Sequence, residues 1–175
     1  LGFIVWGLHN SYEPKSDDVE YRMFDNEGDL LHDFCKTFAH ERPDIITGWN
    51  IDFFDVPYII NRIEKHHNPD WVKLLSPWKL KPRERSQMGD RVYDIPGVTS
   101  YDYMRLYKKF NLATRESYSL NAIATVELGE KKVDYSEYDS LHDLYKNNWE
   151  KFIDYNIRDT GLVRRLDDKL KFIDL

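Results

Sequence analysis

Asp44-Ile45-Ile46-Thr47-Gly48-Trp49-Asn50, continued by Ile51-Asp52-Phe53-Phe54-Asp55-Val56-Pro57-Tyr58-Ile59-Ile60, carries the clearest sign of the fold class. A short apolar run that stops at a glycine marks a strand, and Ile59, Ile60 and Ile63 at helical spacing mark a helix after it. Strand, loop and helix form the building step of an α/β fold. In such folds, sites collect beyond the carboxyl ends of strands, where a loop enters the next helix. Asn50, Phe54 and Asp55 occupy that loop, an arrangement suited to holding a metal beside a nucleotide. Asp55 before Val56-Pro57 is also a good helix start, with Asp as the cap and proline in the first turn, and taken alone that role accounts for it.

Upstream, Phe3 to Leu8 is a continuous apolar run followed by Asn10, Ser11 and Pro14, which predicts a buried strand and a turn. Val19 to Phe24 predicts a second strand. Asn26 then caps a helix with Glu27 and Asp29 in its first turn and an apolar face of Leu30, Leu31, Phe34 and Phe38. Downstream, Lys73, Lys79, Lys81, Arg83, Arg85 and Arg91 form a basic stretch, read either as a border to nucleic acid or as a solvated, irregular insertion. Arg91 to Tyr101 predicts a hairpin broken at Pro96-Gly97, and Asp102 opens a helix carrying Met104, Leu106, Tyr107 and Phe110. Helical patterns recur near 119–128 and 139–147. The last helix spans about 148–173, with Trp149, Phe152, Ile153, Leu162, Leu166 and Leu170 in its buried stripe.

The length of 175 residues suits a single domain across 1–175. With 12 Tyr, 9 Phe and 5 Trp, the chain has the material for an aromatic-rich core. The only cysteine, Cys35, falls in a helical pattern, so no internal disulfide forms and the thiol is expected to be buried in a reducing compartment. No apolar run approaches the ~20 residues of a membrane span, so a soluble, cytoplasmic protein is expected. A net charge of −6 argues against a stand-alone, nonspecific duplex binder but not against an acidic nuclease, whose carboxylates clasp the cations that meet phosphate. The six histidines show no zinc-like spacing, and His66-His67 adjoins a helix end.

Near the carboxyl end, Tyr155-Asn156-Ile157-Arg158-Asp159 sets a phenol and a carboxylate four apart, on one face of a helix one turn from each other. One could bind metal while the other orients water; packing plus a solvated carboxylate is the plain alternative.

Together and in this order, the two segments resemble the second and third exonuclease motifs of family B DNA polymerases. Gly48-Trp49-Asn50 and Phe54-Asp55-Val56-Pro57-Tyr58-Ile59 are particularly similar to the T-even phage form. So are Phe24-Asp25-Asn26-Glu27, Arg42-Pro43, Asp102-Tyr103, Leu106-Tyr107-Lys108-Lys109-Phe110 and Ser117-Tyr118-Ser119-Leu120, in register along nearly the whole chain. The resemblance implies an RNase H-like exonuclease fold, with a mixed central sheet flanked by helices. It also implies a proofreading 3′→5′ exonuclease that uses two divalent ions, Mg²⁺ or Mn²⁺, about 3.5–4 Å apart. Asp55 and Asp159 match metal ligands, Tyr155 matches the tyrosine that positions the attacking water, and Asn50 and Phe54 match contacts to the substrate. Phe54 would stack on a frayed base or, alternatively, sit in the core. The implied partners are a single-stranded 3′ DNA end and the polymerase domains of the same parent chain, in an infected bacterial cell if the source is a phage.

The family's first motif, Asp-x-Glu on the first strand, has no counterpart at the matching place. Asp18-Val19-Glu20 has the letters but precedes the segment matching the third strand, and is read as a solvated turn. The first strand is therefore expected to be missing from this chain and the metal site weakened, with nuclease activity weak or absent. The alternatives are a non-catalytic nucleic-acid-binding or scaffolding module of the same fold, and a free-standing nuclease acting on RNA. Asp102, at a helix start after a strand, is expected to be a cap.

Overall fold

A computed structural model describes residues 2–66, 69–87, 89–130, 134 and 136–174. The chain divides into two compact units, one of Leu1–Met23 with Phe110–Leu175 and one of Phe24–Lys109.

In the central unit, α1 (Glu27–Glu41) begins where Asn26 adopts an extended conformation and its side chain accepts from the Asp29 amide, as its sequence predicts. Next come β3 (Ile45–Gly48) and α2 (Asp55–His66), a 3₁₀ helix (Pro69–Leu75), β4 (Arg83–Gln87), β5 (Asp90–Asp94), β6 (Thr99–Asp102) and α3 (Tyr103–Phe110). β3 and β6 pair in parallel, from Ile45 opposite Thr99 to Gly48 opposite Asp102. The core joins Leu31 and Cys35 of α1 to Val56, Ile60 and Ile63 of α2, with Val72, Leu75 and Ile95 closing it. Cys35 is fully buried, and its burial pushes the thiol up to about 11, so it stays protonated and inert.

The expected hairpin across Pro96-Gly97 is not what forms. Asp90–Asp94 instead pairs antiparallel with Arg83–Gln87, and the residues beyond Pro96 leave to join β3. β4 contains no apolar residue, so its sequence gave no periodic signal; its main chain finds a ladder, and its charges find partners across it, Arg85 with Asp94 at 2.9 Å and Glu84 with Arg91 at 3.4 Å. The basic stretch is thus partly a charged strand rather than an irregular insertion.

The other unit holds β1 (Phe3–Leu8) paired with β2 (Val19–Phe24), α4 (Leu120–Leu128), α5 (Leu141–Asn147) and α6 (Trp149–Leu170). β1 was expected to be a buried strand, yet Phe3 to Trp6 are only half-buried, because the sheet they join has two strands. Gly7 is the exception: the Tyr21 ring lies where a Cβ would stand, and its hydroxyl donates to the Asn10 carbonyl at 2.6 Å. Ser119, Ser140 and Asn148 cap α4, α5 and α6 through their side chains. Ile153, Leu162, Val163 and Leu166 form the buried stripe of α6, while Tyr145, Trp149 and Phe152 pack edge to face or tilted with ring centroids 5.3–5.8 Å apart.

Parallel and antiparallel pairings both occur, but among the described residues they form three separate two-stranded sheets. The structure is thus mixed α/β, with helices and small sheets among the described residues.

Candidate functional site

The loop that leaves β3 is shaped by its own backbone. Asn50 lies in the left-handed region at φ 66°, where a short amide side chain is tolerated better than most. Its carbonyl accepts from the amides of Phe53 and Phe54 at 3.3 and 3.2 Å, curling the chain into α2. This conformational duty is the structural reason for asparagine at this position. Phe54 and Asp55 emerge at the start of α2, both exposed, so Phe54 is not a core aromatic.

Asp102 anchors the loop from beneath. It is 3% exposed; one carboxylate oxygen accepts from the Arg105 amide at 3.2 Å, capping α3 as expected, and the other accepts from the Asp52 amide at 3.4 Å. Asp52 is itself buried, and receives a 2.5 Å hydrogen bond from the Ser100 hydroxyl and a 3.2 Å ion pair from Arg105. Sequence reasoning missed Asp52, Ser100 and Arg105 as parts of this assembly. The available signal was a lone charge between Ile51 and Phe53, in a segment otherwise apolar.

Crowding by protein atoms, with the Asp102 charge as a smaller contribution, raises the Asp55 carboxyl above its ordinary value although one side of it meets solvent. Burial, and then the neighbouring Asp52, raise Asp102, against the hydrogen bonds that favour its ionised form. A cation at Asp55 would relieve the repulsion, and a carboxylate is the hard oxygen donor that Mg²⁺ or Mn²⁺ prefers. Among the described residues, however, no three or more His, Cys, Asp or Glu side chains are gathered to hold a metal. The donors therefore fit a divalent ion in kind without forming a complete cage.

Tyr155 and Asp159 lie one turn apart on α6, Tyr155 buried at 7% exposure and Asp159 half-buried. The structure thus brings Asn50, Phe54 and Asp55 together on one loop of the central unit, and Tyr155 and Asp159 together on one helix of the other.

Asp18 and Glu20 are exposed; Asp18 accepts from Ser16 and Glu20 pairs with Arg22, the behaviour of a solvated turn entering β2. Asp25-Asn26-Glu27 has the same Asp-x-Glu letters, but Glu27 is engaged by Arg62 and His66. His67 lies outside the described residues.

The class so defined is an α/β domain with an acidic loop at the carboxyl end of a parallel strand pair. A sequence model of the family described as DNA polymerase family B, exonuclease domain, matches residues 8–123, about two thirds of the chain. The chain belongs to this family of exonuclease domains. It is 38% identical over 162 residues to a DNA-directed DNA polymerase of Enterobacteria phage T4, and 35% identical over 162 residues to that of Escherichia phage RB69, covering 91% of this chain and 18% of each relative. It is also 32% identical over 158 residues to a DNA polymerase delta catalytic subunit of Dictyostelium discoideum, covering 84% of this chain and 14% of that protein. The chain therefore spans less than a fifth of the length of these relatives. No helix among the described residues is long and apolar enough to cross a membrane.

Proposed function

We propose that residues 1–175 act as one RNase H-like 3′→5′ exonuclease domain, which removes nucleotides from single-stranded 3′ ends of DNA as the proofreading part of a DNA polymerase. The observation that carries this is Asp55: a crowded carboxylate at the mouth of α2, just past the end of a parallel strand, beside an exposed aromatic ring. Two divalent ions, Mg²⁺ or Mn²⁺, are the proposed cofactors, with Asp55 and Asp159 as ligands. When bound, such ions make water nucleophilic at neutral pH and offset the charge that develops as a phosphodiester breaks. Tyr155 is assigned to orienting the attacking water, Phe54 to stacking against the terminal base, and Asn50 to contacting the strand where the loop turns. The phage relatives support polymerase domains as partners and the cytoplasm of a host bacterium as the place of action.

The test is digestion of 5′-labelled single-stranded DNA by the full-length gene product in Mg²⁺ or Mn²⁺. A ladder of shortening products is expected, with Asp55→Ala slowing it by more than ~100-fold, beyond the usual cost of disturbing only a ligand's supporting partner. Equal ladders from the protein and the variant would remove Asp55 from the metal site. A protein that binds the strand and never shortens it would favour the scaffolding module instead.

A further inference from the structure

Phe54, immediately before α2, and Tyr58, in its first turn, are two large rings that the packing of the helix does not use. Val56, Pro57, Ile60 and Ile63 are buried in the core of the central unit, whereas Phe54 is 68% and Tyr58 58% exposed. The two rings are parallel to within 6°, their centroids 6.4 Å apart. A pair spaced by one helical turn stabilises a helix by only about 0.2–0.5 kcal/mol, too little to explain keeping so much aromatic surface in water. The centroid spacing is within reach of neighbouring bases on an unstacked single strand, so each ring can take one base. Asp55 adjoins the first ring, so a strand laid along the rings leads to the proposed metal ligand.

We propose that Phe54 and Tyr58 together form a stacking platform for single-stranded DNA, in which Tyr58 binds the base next to the terminal one. This rests on the exonuclease assignment above and adds to it a binding residue one turn further along α2. Stacking on aromatic rings tolerates every base, which suits an enzyme that must accept whichever nucleotide was misplaced. The cation one turn beyond, Arg62, is already neutralised by Glu27. Tyr58 therefore contributes through its ring face, and its share of affinity is insensitive to salt, unlike contacts to phosphate.

The experiment is a fluorescence titration of the 175-residue chain with a single-stranded oligonucleotide in EDTA, so that hydrolysis is stopped. Thermal melts of each variant establish that it is folded. Tyr58→Leu is expected to weaken binding about tenfold, within the range for one stacked base, and Tyr58→Phe to bind as the unchanged protein does. An abasic residue at the penultimate position should cost the unchanged protein a similar factor and cost Tyr58→Leu nothing further. Unchanged affinity in Tyr58→Leu would overturn the proposal. So would a loss that persists in full on the abasic strand, or a change of oligomeric state without a change in DNA affinity, which would mark the rings as a protein contact. Failure of the exonuclease assignment itself would appear elsewhere, as undiminished digestion by Asp55→Ala, and would leave this titration interpretable.

Discussion

The loop that presents Asp55 and the helix that presents Asp159 are built by different means. α6 is a 22-residue helix whose start is set by Asn148, three residues from the amide it caps, and whose inner face is set by the spacing of Ile153, Leu162 and Leu166. The Asp55 loop has little such local support beyond the left-handed turn at Asn50. It is held by Ser100, Asp102 and Arg105, about fifty positions downstream, through a polar network centred on the buried carboxylates of Asp52 and Asp102. A helix is specified by periodicity within itself, whereas an irregular loop needs partners brought to it by the pairing of β3 with β6. Each region should therefore be fragile in its own place: the helix in its apolar stripe, the loop in a carboxylate that touches no substrate.

The largest effect is expected on the helix. Leu162 is fully buried, and Leu162→Ala should destabilise the protein by about 2–5 kcal/mol in urea unfolding, through lost burial and the cavity left behind. A cost below about 1 kcal/mol would show that the stripe of α6 is not tightly packed.

Asp102→Ala ranks next. Removing the carboxylate strands the amides of Arg105 and Asp52, and should cost about 2–3 kcal/mol. Asp102→Asn keeps an acceptor oxygen and should cost less. Equal unfolding midpoints for Asp102→Ala and the unchanged protein would mean that the loop is held by other contacts.

A smaller, pH-dependent effect separates two carboxyls of the central unit. Asp102 is raised by burial, so the folded state binds its proton more tightly than the unfolded state. Its contribution is fully present below the ordinary aspartate pKa and is lost as pH rises through the raised folded value. Glu27 behaves in the opposite sense: the Arg62 guanidinium lowers it, so its contribution is present above the ordinary glutamate value and is lost as pH falls through the folded one. Unfolding measured across this acid range should therefore show a shallower acid loss for Glu27→Gln and the opposite change for Asp102→Asn. Parallel curves for the two variants would contradict these assignments.

The smallest effect belongs to β4. Arg85 and Asp94 are both exposed, and Arg85→Ala should change stability by less than about 1 kcal/mol. A larger loss in thermal melting would show that the charged hairpin supports the central unit.

What the sequence showed follows the same division. The strands at 3–8 and 19–24, the Asn26 cap and the three later helices were legible because local patterns suffice to define them. Asp102 was legible as a cap for the same reason. The β4–β5 pairing was not, since Arg83-Glu84-Arg85-Ser86-Gln87 offers no hydrophobic alternation and its ladder is made of main-chain bonds. Nor was the Asp52 network, whose members acquire meaning only when parallel pairing sets Gly48 opposite Asp102. Asn50 was singled out for contact with substrate, while its left-handed backbone, which shapes the loop, was invisible in the letters. Asp55, Tyr155 and Asp159 were assigned by resemblance alone, because neither local spacing distinguishes a ligand from a helix cap or a surface carboxylate.

Service of Asp55 and Asp159 in metal-dependent removal of the 3′ nucleotide can be tested with a 3′-labelled single strand. Single-turnover release of the labelled mononucleotide by the full-length gene product would be measured in Mg²⁺, beside Asp55→Ala and Asp159→Ala. Release from the 3′ end is expected to be abolished by EDTA and slowed more than ~100-fold by either substitution. Release that survives EDTA, or that proceeds at an unchanged rate in both variants, would contradict that role.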